Sequence, residues 1–204
     1  MSKAWPQTSI GSVAKPIDRL EIPQSGKTYR QIGVRLWGQG AYERESIDGS
    51  ETKYKTLNQV KHGDIIVNKI WARNGSVSVV SKELESCYCS GEFPIFEPIL
   101  TQLEPKWFYW ITKTHWFWEK CDAQSRGTSG KNRIRPEKFM AISIPLPPIA
   151  EQQRIVAKIE RLAGKIEEAK RIKEITSKQH IQLFEISRSK FINEAFKSGK
   201  IDLT

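Results

Sequence analysis

The stretch Ile144-Pro-Leu-Pro-Pro-Ile-Ala-Glu-Gln-Gln-Arg-Ile-Val156 divides this chain into two parts of different periodicity. Three prolines within four positions exclude a helix interior and favour an extended segment. From Ala150 to about Lys197 the sequence contains no proline and one glycine, Gly164. The sequence therefore predicts a long helical region over 150–204, about 70 Å in length if it is unbroken, after a separate domain over 1–149.

The predicted helix carries apolar residues with the spacing of a coiled coil. They recur at steps of four and three: Ile155, Ile159, Leu162 and Ile166. The pattern weakens through residues 170–178 and resumes at Ile181 and Phe184, which predicts a break or register shift near 170–180. We call these six residues the helix seam. Such a stripe is expected to pack on a second copy of the chain, with packing onto the chain's own β-rich domain as the alternative.

Short β-branched and aromatic runs, bounded by turn-forming residues, fill the first 149 residues. The clearest are 29–37, 64–71 and 76–80, and Asn74-Gly75 between the last two favours a hairpin. Pro105 is expected to begin a single helix through residue 120. Its aromatic stripe predicts a buried core helix, with base stacking as the alternative. The fold class is therefore α+β.

Composition restricts the partners of the chain. Its 204 residues include 33 Lys+Arg and 23 Asp+Glu, a net charge of +10, which favours DNA, RNA or an anionic membrane surface. No apolar run is long enough to span a bilayer, and no secretory leader is visible. The odd number of cysteines and their spacing argue against disulfides and zinc, so a reducing cytoplasm is expected.

A basic, glycine-containing loop is the sharpest concentration of positive charge. Its candidate phosphate-binding residues are Arg126, Thr128, Ser129, Lys131, Asn132 and Arg133. An ordinary solvated loop is the alternative. Further candidates lie near turns of the β-rich runs: Arg35, Lys69, Arg73 and Asn74. Arginine pairs well with guanine edges and asparagine with adenine edges, so these residues could read a DNA sequence.

Catalytic motifs are missing from the sequence. It contains no Gly-x-Gly-x-x-Gly, His-Glu-x-x-His or Gly-x-Ser-x-Gly pattern, and its three histidines are scattered. We therefore expect a binding protein without a catalytic residue or a metal.

The proline-rich stretch followed by Glu151-Gln-Gln-Arg-Ile-Val156 resembles the signature of type I restriction–modification DNA specificity subunits. Weaker resemblances follow in the family's order. Trp5 with residues 10–13 resembles the family's opening strand, and residues 29–33 with 38–40 resemble its second element. Gly63-Asp-Ile65 with residues 73–77 resembles the family's hairpin, and residues 127–134 resemble the loop before the proline-rich stretch. The resemblance covers essentially the whole chain, but family members usually carry two recognition domains and two long helices.

Several expectations follow from this resemblance. The chain would be a non-catalytic, half-size specificity subunit, with Gln39 and Ser76 joining the DNA-contact candidates. Two copies would read an interrupted palindrome in double-stranded DNA. They would dock adenine methyltransferase subunits, which bring S-adenosylmethionine, and a restriction–translocase subunit, which uses ATP; no cofactor would bind this chain. Alternatives are a stand-alone dimeric regulator that binds DNA or RNA, and a coiled-coil scaffold with no nucleic-acid partner.

Overall fold

The computed structural model describes residues 5–125 and 132–197. The strands in these ranges are β1 (Gln7–Ser9), β2 (Ala14–Ile17), β3 (Leu20–Glu21), β4 (Thr28–Val34), β5 (Ala41–Asp48), β6 (Leu57–Gln59), β7 (Ile65–Val67), β8 (Val77–Val79), β9 (Tyr88–Cys89), β10 (Ile95–Pro98) and β11 (Ser143–Pro145). The helices are α1 (Ile10–Val13), α2 (Pro105–Thr112), α3 (His115–Ser125), α4 (Pro136–Met140) and α5 (Ile149–Lys197). Two single 3-10 turns cover Ala72–Asn74 and Lys82–Leu84.

Within the described ranges the strands form three sheets, and the α+β class is confirmed. One sheet pairs β1 with β11, a second has the order β2-β10-β7-β8, and a third has the order β3-β6-β9-β4-β5. The pairing of β4 with β9 is parallel, whereas the other strand pairs are antiparallel.

Strand β7 separates the two large apolar cores. Ile65 and Val67 enter the core that contains the helices, whereas Ile66 enters the core beneath the five-stranded sheet. Because successive side chains of a strand point to opposite faces, this continuous apolar run fits a strand covered on both sides. Phe108 of α2 lies in the first core and Ile32 of β4 in the second. The four-stranded sheet is therefore the middle layer of this domain.

The aromatic segment, residues 105–120, was predicted to form one helix. It forms two, α2 and α3, so that prediction is wrong. Pro105 begins α2 as expected, but Thr114 lies between α2 and α3. The hydroxyl of Thr114 donates to the carbonyl of Ile111 at 2.8 Å and accepts the amide of Phe117 at 3.3 Å. This exchange ends one helix and begins the next. It also brings Phe108 and Phe117 edge to face, with centroids 5.7 Å apart.

The expected opening strand is shorter than the sequence indicated. Residues 10–13 form the short helix α1, and β1 ends at Ser9. Ile10 and Val13, three residues apart, are both fully buried. A helical turn places both side chains on one face, whereas a strand would turn one of them outward.

The expected hairpin forms, but Asn74-Gly75 is not its two-residue turn. Strands β7 and β8 pair antiparallel, with Val67 opposite Val77. The intervening segment, 68–76, contains a 3-10 turn that ends at Gly75 in the left-handed region, with φ of 76°. Strands β7 and β8 are therefore joined by a longer loop and not by a tight turn.

Asp64 of the Gly63-Asp-Ile65 motif forms a buried ion pair. Its carboxylate accepts two hydrogen bonds from Arg19, at 2.6 and 3.2 Å, and a third from the amide of Lys61 at 2.7 Å. The Asp64 side chain is only 3% exposed. The hydrogen bond with Asp64 raises the pKa of Arg19. The ion pair ties the segment between β2 and β3 to the start of β7.

Gln152 gives a structural reason for part of the Glu151-Gln-Gln-Arg-Ile-Val156 motif. Its side chain is fully buried, its amide donates to the carbonyls of Gln102 and Pro147 at 2.8 Å each, and its carbonyl accepts the amide of Glu104 at 2.9 Å. Val156, one turn later, is buried in the helical core. The first two turns of α5 are thus part of the β-rich domain.

Helix α5 is continuous over its 49 residues, so the break expected near 170–180 is absent. Ion pairs spaced three residues apart span this region, from Glu167 to Lys170 and from Glu168 to Arg171. Weakening of an apolar stripe removes packing contacts but none of the backbone hydrogen bonds of a helix. Two compact units divide inside α5, between Val156 and Ala157.

Large apolar side chains of α5 are exposed in the second unit. Those of the helix seam are Leu162, Ile166, Ile181 and Phe184, each between 49% and 66% exposed. At 3.6 residues per turn, a second apolar stripe lies on a different face of the helix: Ile172, Ile175, Leu183 and Ile186. A second stripe therefore begins near residue 172, where a break or register shift was expected, while Ile181 and Phe184 stay on the face of the seam. Ile155 was predicted to belong to the seam, but it packs against the helical core of the first unit.

Candidate nucleic-acid interface

The loop between β4 and β5 has an unusual backbone. Residues Trp37, Gly38 and Gly40 all have positive φ, at 58°, 62° and 90°. The amide of Arg35 donates to the carbonyl of Gly40 at 2.9 Å, which closes the loop. Arg35 and Gln39 are exposed on it.

A second loop, 68–76, is joined to the first through backbone hydrogen bonds. The amide of Trp37 donates to the carbonyl of Asn74 at 2.7 Å, and the amide of Gly38 to that of Gly75 at 3.2 Å. The side chain of Asn68 accepts the amide of Ile70 at 3.0 Å and so orders the start of this loop. Two segments far apart in sequence thereby form one surface.

The junction of α2 and α3 supports both loops. Lys113 donates from Nζ to the carbonyl of Gly38 at 2.7 Å. A Cβ on Gly75 would lie 2.7 Å from Trp118 Cε2, so only glycine allows this indole to pack so closely. Trp118 is itself fixed by a hydrogen bond from its indole to the carbonyl of Thr112 at 2.7 Å.

The two loops bring together four predicted DNA-contact residues and one aromatic residue. We call this set the hairpin rim: Arg35, Trp37, Gln39, Arg73 and Asn74. The Arg35 guanidinium stacks 4.3 Å from the ring centroid of Tyr42. Within the described residues, neither Arg35 nor Arg73 forms an ion pair. Both charges are therefore available to phosphates or base edges.

An open cleft of about 480 Å³ lies beside the rim. Its lining residues are Trp37, Arg73, Asn74, His115, Trp118, Glu119 and Asp122. His115 Nδ1 lies 3.3 Å from Glu119 Oε1. The cleft thus combines aromatic walls with groups that can donate to or accept from a base edge.

Other predicted contacts lie apart from the rim. The amide of Lys69 donates to the carbonyl of Glu92 at 3.1 Å, and Arg133 donates to the Glu92 carboxylate at 3.0 Å. Asn132 is exposed. These residues form a second polar group, in which the charge of Arg133 is already paired. The predicted contacts Arg126, Thr128, Ser129 and Lys131 lie outside the described residues.

Ser76 is a correction to the predicted contacts. It is fully buried, and its hydroxyl donates to the carbonyl of Val34 at 2.7 Å. This hydrogen bond ties β4 to the second loop. Ser76 does lie in the loop beside Asn74 and Gly75, as the sequence indicated, but its side chain points into the protein.

Trp37 and Lys113 were not singled out from the sequence, and Trp118 was predicted only as part of the aromatic stripe of a buried core helix. Trp37 was placed in a strand that in fact ends at Val34. A usable signal was an aromatic residue directly before Gly38-Gln-Gly40, where a strand pattern meets two flexible glycines. Lys113 and Trp118 contact the loops only because the aromatic segment bends at Thr114, and no local pattern indicated that bend.

The fold is that of a DNA specificity domain. Residues 3–177 match the model of the family described as "Type I restriction modification DNA specificity domain". The chain therefore belongs to this family. No curated protein sequence matches the chain.

Solved structures share the fold. The chain is similar to the HsdS subunit from Thermoanaerobacter tengcongensis, with a TM-score of 0.70 and 21% identity over 84% of this chain and 45% of that one. A structure described as showing complex assembly and conformational transition of the type I R-M system matches with a TM-score of 0.66 and 18% identity, over 94% of this chain and 50% of that one. This chain thus spans about half of the length of either protein. Among the described residues, none of the helices combines the length and apolar character needed to cross a membrane.

Proposed function

We propose that this chain binds double-stranded DNA through the hairpin rim and directs a type I restriction–modification complex to its target. The observation that carries the proposal is the convergence of Arg35, Arg73 and Asn74 on one surface of a specificity-domain fold. Arginine and asparagine recognise guanine and adenine edges, and unpaired cations attract phosphates. The chain itself supplies no catalytic step.

Methylation mapping tests the proposal in the assembled complex. The chain is co-expressed with a type I adenine methyltransferase subunit, and host DNA is sequenced for methylated adenines. We expect one bipartite motif that disappears when this chain is omitted. Methylation that is absent, or independent of the chain, would contradict the proposal and favour a stand-alone regulator.

Substitution of the rim locates the interface. Arg35→Ala with Arg73→Ala removes two cations from each copy, so the slope of log affinity against log salt should decrease by about two per copy, or about four for a complex with two copies. The control, Lys15→Ala with Lys82→Ala, removes the same charge from exposed positions outside the rim. Binding of duplex DNA by the complex is measured by anisotropy over a salt series. Equal slopes in parent and rim variant would place the interface elsewhere.

We further propose that two copies associate through the helix seam. Exposure of Leu162, Ile166 and Phe184 supports this, since stripes of this kind are covered in coiled coils. A two-fold dimer would place identical recognition domains on inverted half-sites, so the motif would be an interrupted palindrome.

The second apolar stripe of α5 supports an additional helical partner. Ile175 and Ile186 lie on a face that the seam does not use. We assign this face to the methyltransferase subunit, which would bring S-adenosylmethionine, while a restriction–translocase subunit would bring ATP. No cofactor is proposed for this chain.

A further inference from the structure

Trp37 combines two unfavourable properties within the hairpin rim. Its φ is 58°, in the left-handed region that strains a bulky side chain, and its surface is 55% exposed. Glycine would form the same turn without strain. The combination points to a role for the ring outside the folding of the chain.

The loop that carries the ring is also ordered, and the ring rests against a neighbouring side chain. The backbone around it is fixed by the hydrogen bonds from Trp37 to Asn74 and from Lys113 to Gly38, both 2.7 Å. The indole leans on Trp118, with ring centroids 5.9 Å apart and an interplanar angle of 57°. A ring ordered before binding loses little conformational entropy when it meets a ligand.

Charge decides which part of DNA the ring meets. Arg35 lies on the same loop as the ring and forms no ion pair within the described residues, whereas Arg73 and Glu119 both line the cleft beside the ring. The carboxylate of Glu119 offsets the charge of Arg73, so the cleft does not select a phosphate. A neutral base edge therefore fits beside Trp37 better than the DNA backbone does.

The apolar ring and the N–H donor of the indole are complementary to one base pair. Its ring is apolar, and within the described part of the chain its N–H has no hydrogen-bond partner. In the major groove, thymine alone offers a methyl group next to an acceptor, O4. We infer that Trp37 specifies a T·A pair by covering the thymine methyl and donating to O4. This inference rests on the proposed function.

The test uses the assembled complex and a duplex that contains the motif found by methylation mapping. Each thymine of a half-site is replaced in turn by deoxyuridine, which keeps O4 and loses the methyl. One replacement should weaken binding by the parent about fourfold, the value of one buried methyl group. Trp37→Gly should bind the thymine and deoxyuridine duplexes equally well.

Controls separate this inference from folding and from the proposed function. Trp37→Gly and Trp37→Asn place at this φ residues that tolerate it, so both should fold. Trp116→Ala removes another exposed indole and should keep the discrimination.

The outcomes are distinct. Equal deoxyuridine effects in parent and Trp37→Gly, or a half-site without thymine, would overturn the inference while DNA binding and its salt dependence survive. Loss of all DNA binding by the parent complex would overturn the proposed function as well. Increased fluorescence of 2-aminopurine beside the thymine, abolished by Trp37→Gly, would show insertion of the ring between bases and would also overturn the edge contact.

Discussion

Single polar residues give the sequence signatures of this chain their structural meaning. The Asp64 carboxylate pairs with the partly buried guanidinium of Arg19, and Gln152, in the first turn of α5, satisfies backbone groups of Gln102, Glu104 and Pro147. A buried polar group that loses its partner destabilises a protein more than the bond itself stabilises it. These residues hold the recognition domain together and do not contact DNA themselves in the proposed arrangement.

We predict that Gln152→Glu destabilises the protein by about 3 kcal/mol. A carboxylate cannot donate to the carbonyls of Gln102 and Pro147, and it would place a negative charge beside them. Urea unfolding followed by tryptophan fluorescence measures the change. Gln153→Glu, at the exposed neighbouring position, is the control and should alter the free energy of unfolding by less than about 0.5 kcal/mol. Equal effects of the two changes would refute the role of Gln152.

The sequence indicates the chemistry of a side chain but not the direction in which it points. Arg35, Arg73 and Asn74 were chosen because their chemistry suits base edges, and the structure brings them together. Ser76 has suitable chemistry too, but strand β8 begins one residue later and the hydroxyl lies inside. Direction depends on tertiary pairing, which composition does not encode.

At the scale of elements, α5 shows what periodicity can predict. Proline absence and helix-forming residues correctly predicted a long helix over 150–197. A break or register shift was expected near 170–180; the backbone is continuous there, and the pattern weakens because a second apolar stripe begins on another face of the helix. Helix α3 shows the converse, since an uninterrupted aromatic periodicity concealed the bend at Thr114.

The two stripes of α5 are predicted to have separable roles. Leu162→Asp places a charge in the seam and should convert a dimer to monomers. Ile175→Asp alters the other stripe and should leave the dimer intact while weakening association with the methyltransferase subunit. Analytical ultracentrifugation of the chain alone and with that subunit measures both effects. A dimer that persists in Leu162→Asp would rule out the seam as the dimer contact.

For the whole molecule, charge is more informative about partners than about fold. The net charge of +10 predicted a polyanionic partner, and the family match is to a DNA specificity domain. The order of the three sheets depends on pairings between distant strands, which no pattern in the sequence specified. Resemblance to known subunits, carried by residues 144–156, indicated the architecture that physical reasoning alone left open.

Stability of the recognition domain should decrease in acid. Hydrogen bonds from Lys27, Tyr29 and Tyr88 lower the pKa of Glu21 from 4.5 to about 2. A carboxylate with a lowered pKa contributes stability above its unfolded pKa, and the contribution is lost as pH falls from about 4.5 towards 2. Glu21→Gln should make the free energy of unfolding less dependent on pH in this window.

Urea titrations at several pH values measure this dependence. Glu45→Gln, which removes an exposed carboxylate of β5, provides the control and should retain the slope of the parent. If the free energy of unfolding of Glu21→Gln depended on pH as steeply as that of the parent, other carboxylates would dominate acid unfolding.

The left-handed backbone at residue 37 also has a genetic consequence. Tryptophan has a single codon, UGG, and a change of its first base to G produces a glycine codon. The residue that this φ favours is therefore one nucleotide away from the residue that the gene encodes. If the indole reads a base pair, that one mutation would relax the preference for the pair without unfolding the subunit. A new target sequence would then arise from a single point mutation.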